Sequence, residues 1–288
     1  MMGEELVPYK RLPQWNAETL PAGFRKQHNT KEGTWARLTI LEGELDFFAL
    51  DADGEIQATT RLTAKAPTPF VQPQAWHRVA PASSDLLCYL EFYCEPDRYY
   101  EKKYGLTAPH SEVREVMRHI QGGDALDLGC GRGRNSIYMH QAGMRVTAVD
   151  HSESAIETLR KIIAAETSCE GIETALYDIS TAAIERDYDL IVSTVVLQFI
   201  PRAAIAAVIA NMQERTRPGG LNLIVAPMST RDHPCPIDWP CTFGDGELAD
   251  LYRSWHTVRY NENVGSFHRR DEHGNFYEAR FATLIARR

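Results

Sequence analysis

A chain of 288 residues divides into about two domains of ordinary size, each long enough to bury a core. Its 31 basic and 39 acidic side chains leave a formal charge of −8, which argues against broad electrostatic binding to nucleic acid or to an anionic membrane. Hydrophobic residues at 43% and charged residues at 24% are ordinary for a soluble globular protein and exclude a largely disordered or fibrous one.

The first residues, MMGEELVPYK, carry acids where a signal peptide carries bases, and no apolar core follows, so a cytoplasmic location is expected. Residues 34 to about 92 read as short alternating runs, TWARLTILEGELDFFAL, EIQATTRLTA, a Pro-interrupted piece ending in WHRV, and LLCYLEFYC. Asp53-Gly54 supplies a hairpin turn and Gly43 a further break. Residues 1–95 are therefore predicted to form an all-β domain with Trp35 and Trp76 in its core. Pro96 among charged residues marks the boundary, and residues 96–288 form the second domain. A helix is expected from Ser111 to His119.

After Gly123 the pattern changes. Apolar runs such as ALDLG, RVTAV, DLIVSTVVL and LNLIVA alternate with amphipathic stretches about a dozen residues long. Buried parallel strands read as continuous apolar runs, and helices between them make βαβ units, so a doubly wound, Rossmann-like α/β sheet is predicted. The low-charge stretch 190–213 is split by Pro201 and Arg202 into strand and alanine-rich helix, so it is no membrane span. MSTRDHPCPIDWPCTFG reads as a long loop after the strand at 221–226, and with Pro227 and Met228 it is a candidate substrate wall. Six cysteines include no C-x-x-C pair, and the histidines show no i, i+4 ligand spacing, so no metal is expected.

The sharpest local signal is ALDLGCGRGRNS, a strand running into a glycine-rich turn and then a helix near Asn135. Gly129, Gly131 and Gly133 let backbone approach a ligand without Cβ contact. A dinucleotide fingerprint needs glycine at the sixth position, which here is Arg134, so a pyrophosphate is disfavoured. Asp127 before the turn would repel a diphosphate but accept a hydrogen bond from a cationic amine. Asp150 at the next strand end suits a ribose diol, and Asp178 after the third suits the exocyclic amine of adenine. A nucleoside carrying an amino acid satisfies all three.

The D-x-G-x-G-x-G turn, the acid after the second strand and the YD after the third resemble the class I S-adenosylmethionine-dependent methyltransferases. NEN-VG-S-F-H-R near Asn261, STVVLQF, NLIVAPMST, CGRGRNS and KYGLTAPHSEV narrow this to a resemblance to the tellurite-resistance methyltransferase (TehB) family, in its longer form with an N-terminal domain. The resemblance spans nearly the whole chain. It implies S-adenosyl-L-methionine as cofactor, held by Asp127, Gly129, Gly131, Arg134 and Asn135 at the turn. Asp150, His151, Asp178, Ile179 and Thr194 would contact it from later strand ends, and Tyr104 and Thr107 would close over it from the segment entering the domain.

The same resemblance implies tellurite or selenium oxyanions as acceptors, with detoxification as the role. It places His268 and Arg269 beside the substrate, Arg269 as a planar fork for two oxygens and His268 as donor or proton acceptor. Family members continue D-x-x-G-N followed by a base, whereas here Phe276 follows Gly274-Asn275; Arg270 or Arg280 is the expected substitute. The β domain resembles a small cupin-like barrel through HNTKEGTW, LEGELDF and FVQPQAWHRV, without a cupin's H-x-H metal motif. It is expected to serve packing or dimerisation, or ligand sensing, so a homo-oligomer stays open. Methylation of small thiols or other soft nucleophiles, and a cofactor-binding sensor without turnover, remain the rivals. STVVLQF stands where amino-methylating nucleic-acid enzymes carry Pro-Pro-aromatic, so no nucleic-acid partner is expected, and no membrane.

Overall fold

Alternation of apolar and polar residues sets the first architecture. In a computed structural model, which describes residues 6–270 and 272–288 with the side chains of 268–270 left out, the chain divides into units Met1–Leu106 and Thr107–Arg288. The first unit contains β1 (Val7–Arg11), β2 (Trp15–Asn16), β3 (Trp35–Glu42), β4 (Glu44–Leu50), β5 (Ile56–Thr63), β6 (His77–Pro81), β7 (Leu87–Cys94) and α1 (Tyr99–Tyr104). One sheet sets β1, β2 and β3 antiparallel to β7; the other runs β5-β4-β6, also antiparallel.

Every second residue of β3, Ala36, Leu38 and Ile40, is buried and meets Leu45, Val79, Cys88 and Leu90 in one core. Gly54 takes φ +89° in the expected hairpin turn, where Asp51 Oδ1 accepts from the Asp53 and Glu55 amides. The tryptophans are not core residues. Trp76 is 36% exposed, and Trp35 is half-buried with its indole N–H donating to Gln72, because each lies on the outward side of its run. Helix α1 belongs to the first unit, since Lys102 Nζ donates to Glu32 O at 2.6 Å and to Thr34 Oγ1 at 3.0 Å.

The second unit contains α2 (Ser111–Val116), β8 (Gly123–Leu128), α3 (Arg134–Gln141), β9 (Met144–Asp150), α4 (Glu153–Ala165), β10 (Glu173–Leu176) and β11 (Tyr188–Thr194). It continues with α5 (Ile205–Glu214), β12 (Thr216–Pro227), α6 (Glu247–Leu251), β13 (His256–Arg270) and β14 (Phe276–Arg287). The sheet order is β10-β9-β8-β11-β12-β14-β13, parallel through β12, with β14 antiparallel to both of its neighbours. The fold is thus the Rossmann-like doubly wound sheet expected, closed by a β13–β14 hairpin.

Leu126 and Leu128 of β8 face a core shared with Ile191, Ile224 and the Ile205, Ile209 and Met212 stripe of α5. Asp127, between those leucines, faces the other way, toward α3. The chain reverses direction across the sheet between β8 and β11, and the crevice outside their C-terminal ends is where this architecture binds ligands. Among the described residues no helix is long and apolar enough to cross a membrane.

Candidate active site

The turn after β8 is built around positive-φ glycines. Gly129 has φ +73°, and a Cβ there would overlap the Val196 side chain arriving from the end of β11. A Cβ on Gly133, at φ +89°, would overlap Leu159 of α4, so this glycine lets α3 start against its neighbour helix. Gly131 differs: at φ +54° its missing Cβ points into space with no atom within 4 Å. Two of the glycines are therefore required by packing, and the third leaves room for a ligand against the backbone.

Asp127 lies beneath this turn, 1% exposed, with Oδ2 accepting from Ser136 Oγ at 2.6 Å. Burial raises its pKa to about 6, against the opposing pull of Ser136 and the Arg134 charge. Its carboxylate supports the turn from below, and a ligand cation above would feel its charge without displacing Ser136.

Asp150 ends β9 and ties the turn to it: Oδ2 accepts from Gly131 N and Oδ1 from Ser152 N, both at 2.8 Å. Capping of α4 falls to Ser152, whose Oγ accepts from Ala155 N at 3.3 Å. Both carboxylate oxygens of Asp150 keep lone pairs for hydroxyl donors in a fixed orientation.

The remaining residues expected at a cofactor fall into four placements. Thr107, Arg134, Asn135 and Thr194 form one network. Arg134 Nη1 donates to Thr107 Oγ1 at 2.9 Å, the Asn135 amide donates to Thr194 Oγ1 at 3.0 Å, and Asn135 Oδ1 accepts from His110 N at 2.9 Å. Asn135 and Thr194 are buried, so their side chains anchor the segment 107–110 to α3 and β11. His151 and Asp178 are exposed. His151 Nδ1 stands 3.4 Å from Asp150 Oδ1, and Asp178 accepts from Ser180 N and Oγ, which lowers its pKa. Ile179 packs half-buried against the sheet core. Tyr104 belongs to the first unit and stacks on Tyr100 with ring centroids 6.1 Å apart.

A cavity of about 340 Å³ adjoins the turn, lined by His110, Glu112, Arg134, Val195, Asn261 and Asn263, with Arg259, Phe267 and Phe281. Val195 carries φ +57°, a conformation strongly disfavoured for a β-branched residue, at the mouth of the crevice. Two guanidinium groups face this space. Arg134 is half-buried, and Arg259 Nη1 stands 3.2 Å from Glu112 Oε2. Trp239 of the proline-rich loop packs against Phe267, and Phe267 against Phe281, so the loop lies behind Phe267; Pro227, Met228 and the loop residues after them are not among the described residues lining the cavity.

His268, Arg269 and Arg270 have side chains outside the described residues; their strand, β13, lines the cavity through residues 259–267. Arg280 is no substitute cation. Its guanidinium is claimed by Glu262 at 3.2 Å, Asp245 at 3.1 Å and Asp232 at 3.8 Å, which neutralise it within the fold. Sequence reading missed Arg259, Asn261 and Asn263, although their spacing of two along a strand was the available signal. It also missed Ser136 as the partner of Asp127.

The geometry suits an amino acid joined to a nucleoside: a buried acid under an open glycine, an oriented diol acceptor, and an adjoining cavity lined by two guanidinium groups and one carboxylate for a second reactant. Comparisons with known proteins agree. The family model described as tellurite resistance protein TehB matches residues 92–285, and that described as a TehB-like domain matches residues 10–90. A Haemophilus influenzae protein named a probable S-adenosyl-L-methionine-dependent methyltransferase TehB is 46% identical over 287 residues, covering 100% of both chains. Hemagglutinin 1 of Eikenella corrodens is 38% identical over 243 residues, covering 84% of this chain and 80% of its own. The crystal structure of TehB from Haemophilus influenzae superposes with a TM-score of 0.85 over 100% of both chains at 46% identity.

Proposed function

We propose, from the premise that this chain belongs to the TehB family of S-adenosylmethionine-dependent methyltransferases, that its acceptor is an oxyanion of tellurium or selenium, methylated to a less toxic form. The observation carrying this reading is the pair of guanidinium groups, Arg134 and Arg259, on the cavity beside the glycine turn. S-Adenosylmethionine supplies an electrophilic methyl group on a sulfonium.

The acceptor's chalcogen lone pair forms the new bond to carbon while the carbon–sulfur electron pair stays on sulfur. No proton has to be abstracted, and the chain's task is positioning. Asp127 places negative charge under the amino-acid end, Asp150 orients toward the ribose, and Asp178 stands at the third strand end for the adenine. Arg134 and Arg259 hold the oxyanion, with His268 and Arg269 as further donors on the same strand as Asn261 and Asn263. Phe267 and Phe281, packed edge to face, supply an apolar wall to the same cavity.

The test follows S-adenosylhomocysteine release with tellurite, selenite, a small thiol and no acceptor in parallel. Oxyanion-dependent release is expected. Arg259→Gln and Arg269→Ala should each lower oxyanion kcat/KM by about tenfold or more while thiol turnover changes little. Release with the thiol alone transfers the function to soft-nucleophile methylation, and cofactor binding without release leaves a sensor.

A further inference from the structure

The first unit holds a cavity of about 510 Å³ lined wholly by its own residues, within the range typical of small-molecule sites. Its floor is the buried face of the sheets, Leu38, Val79, Leu90 and Phe92, with Trp15 and Phe24 beside them. Two kinds of polar group interrupt this apolar lining.

The first is cationic. Lys10, Lys31 and Lys102 all line the cavity, and the one carboxylate among its described lining residues, Glu101, is held by Arg98 at 2.8 Å. A chain of net charge −8 thus surrounds this space with positive charge. Lys102 is fixed in place by its bonds to Glu32 O and Thr34 Oγ1, which take two of its three N–H groups.

The second is an imidazole pair. His28 and His77 have ring centroids 4.2 Å apart, and each Nδ1 lies 2.8 Å from a backbone carbonyl, Lys26 O and Ala75 O respectively. Each Nδ1 therefore carries a hydrogen, which leaves Nε2 as the ring nitrogen for a ligand. Burial, reinforced by neighbouring His28, lowers the His77 pKa, so its ring is neutral near pH 7 and takes a donor rather than an anion.

We propose that the first unit is a binding module for a small organic acid with an apolar or aromatic body. The lysines hold its carboxylate, the sheet floor takes its body, and the imidazoles accept from a hydroxyl or N–H group on it. This site is independent of methyl transfer and does not rest on the identity of the methyl acceptor.

The test is calorimetric titration of the full chain with three matched probes. They are 4-hydroxyphenylacetate, its alcohol analogue tyrosol, which lacks the carboxylate, and phenylacetate, which lacks the hydroxyl. Saturable one-to-one binding of 4-hydroxyphenylacetate is expected, with both analogues about tenfold weaker. The double variant Lys10→Gln, Lys31→Gln should weaken the acid about tenfold and leave tyrosol unchanged. Leu38→Trp, which fills the cavity, should abolish binding; the lysine variant decides the matter if Leu38→Trp fails to fold. Binding should be unaffected by saturating S-adenosylhomocysteine. Absence of saturable binding at millimolar concentration, equal affinity for acid and alcohol, or binding that requires added zinc would each overturn the proposal.

Discussion

Replacing Asp127 with Asn removes a charge that the fold keeps buried beneath the glycine turn, and the consequence for stability can be worked from its surroundings. Asp127 is 1% exposed and its pKa rises from 3.8 to about 6 in the folded state, chiefly through burial. Well below pH 4 the group is protonated in folded and unfolded chains alike, and it costs nothing. Between about pH 4 and 6 the folded state retains a proton that the unfolded state has lost, so stability falls as pH rises through this window. Above about pH 6 both states are ionised and the folded state bears the whole cost, about 3 kcal/mol. An amide keeps an oxygen to accept from Ser136 and carries no charge. Asp127→Asn should therefore stabilise the ligand-free protein by about 2–3 kcal/mol at pH 7.5, with the gain vanishing near pH 4. Urea titration read by hydrogen exchange of peptides spanning residues 123–141 measures this locally. A variant equally or less stable at pH 7.5, or a gain that persists undiminished at pH 4, would refute the assignment of Asp127 as a buried anion retained for function. The same variant should bind S-adenosylhomocysteine at least about tenfold more weakly, because the cationic amine loses its counter-charge.

The affinity of the wild-type protein for S-adenosylhomocysteine should fall as pH drops below about 6, where Asp127 takes up a proton; an affinity flat from pH 8 to 5 contradicts this. Gly129→Ala and Gly131→Ala should separate packing from binding. The first drives a Cβ into Val196 at φ +73° and should cost about 2 kcal/mol or more in stability. The second meets no atom and should cost only about 1 kcal/mol, yet lose cofactor affinity in calorimetry. In the sheet core, Asn222 donates to Tyr252 O–H at 2.9 Å while accepting from Thr216 Oγ1 at 2.7 Å. Tyr252→Phe leaves the Asn222 amide without that acceptor and should lower stability by about 1–3 kcal/mol in denaturant titration.

The cofactor half of the site was legible in the sequence because it is assembled locally. An apolar run dictates a strand and a glycine run dictates the turn at its end, so Asp127, Asp150 and Asp178 fall at successive strand ends by position alone. The parallel order then follows from alternating strands and helices with a connection long enough to cross over. Likewise the period of two in TWARLTIL marked a strand, but which of its faces turned inward was settled by packing, with Ala36, Leu38 and Ile40 buried and Trp35 on the other face.

What the sequence left open depends on contacts between residues far apart in the chain. Short edge strands such as β1 and β2 carry no clear alternation, because only pairing with β7 makes them strands. Arg280 looked available as an oxyanion ligand until folding surrounded it with Glu262, Asp245 and Asp232. Arg259 looked like an ordinary strand residue until the β13–β14 hairpin carried it to the cavity beside Arg134. Asn135 meets Thr194 only because β8 and β11 are neighbours across the point where the chain reverses. The sequence by itself determined the order of elements, the turn and the acids at its edge, since these follow from backbone preference and local period. Which charges remain free to act was decided only by the tertiary structure, because a side chain's availability depends on every group that folding brings within a few ångströms of it.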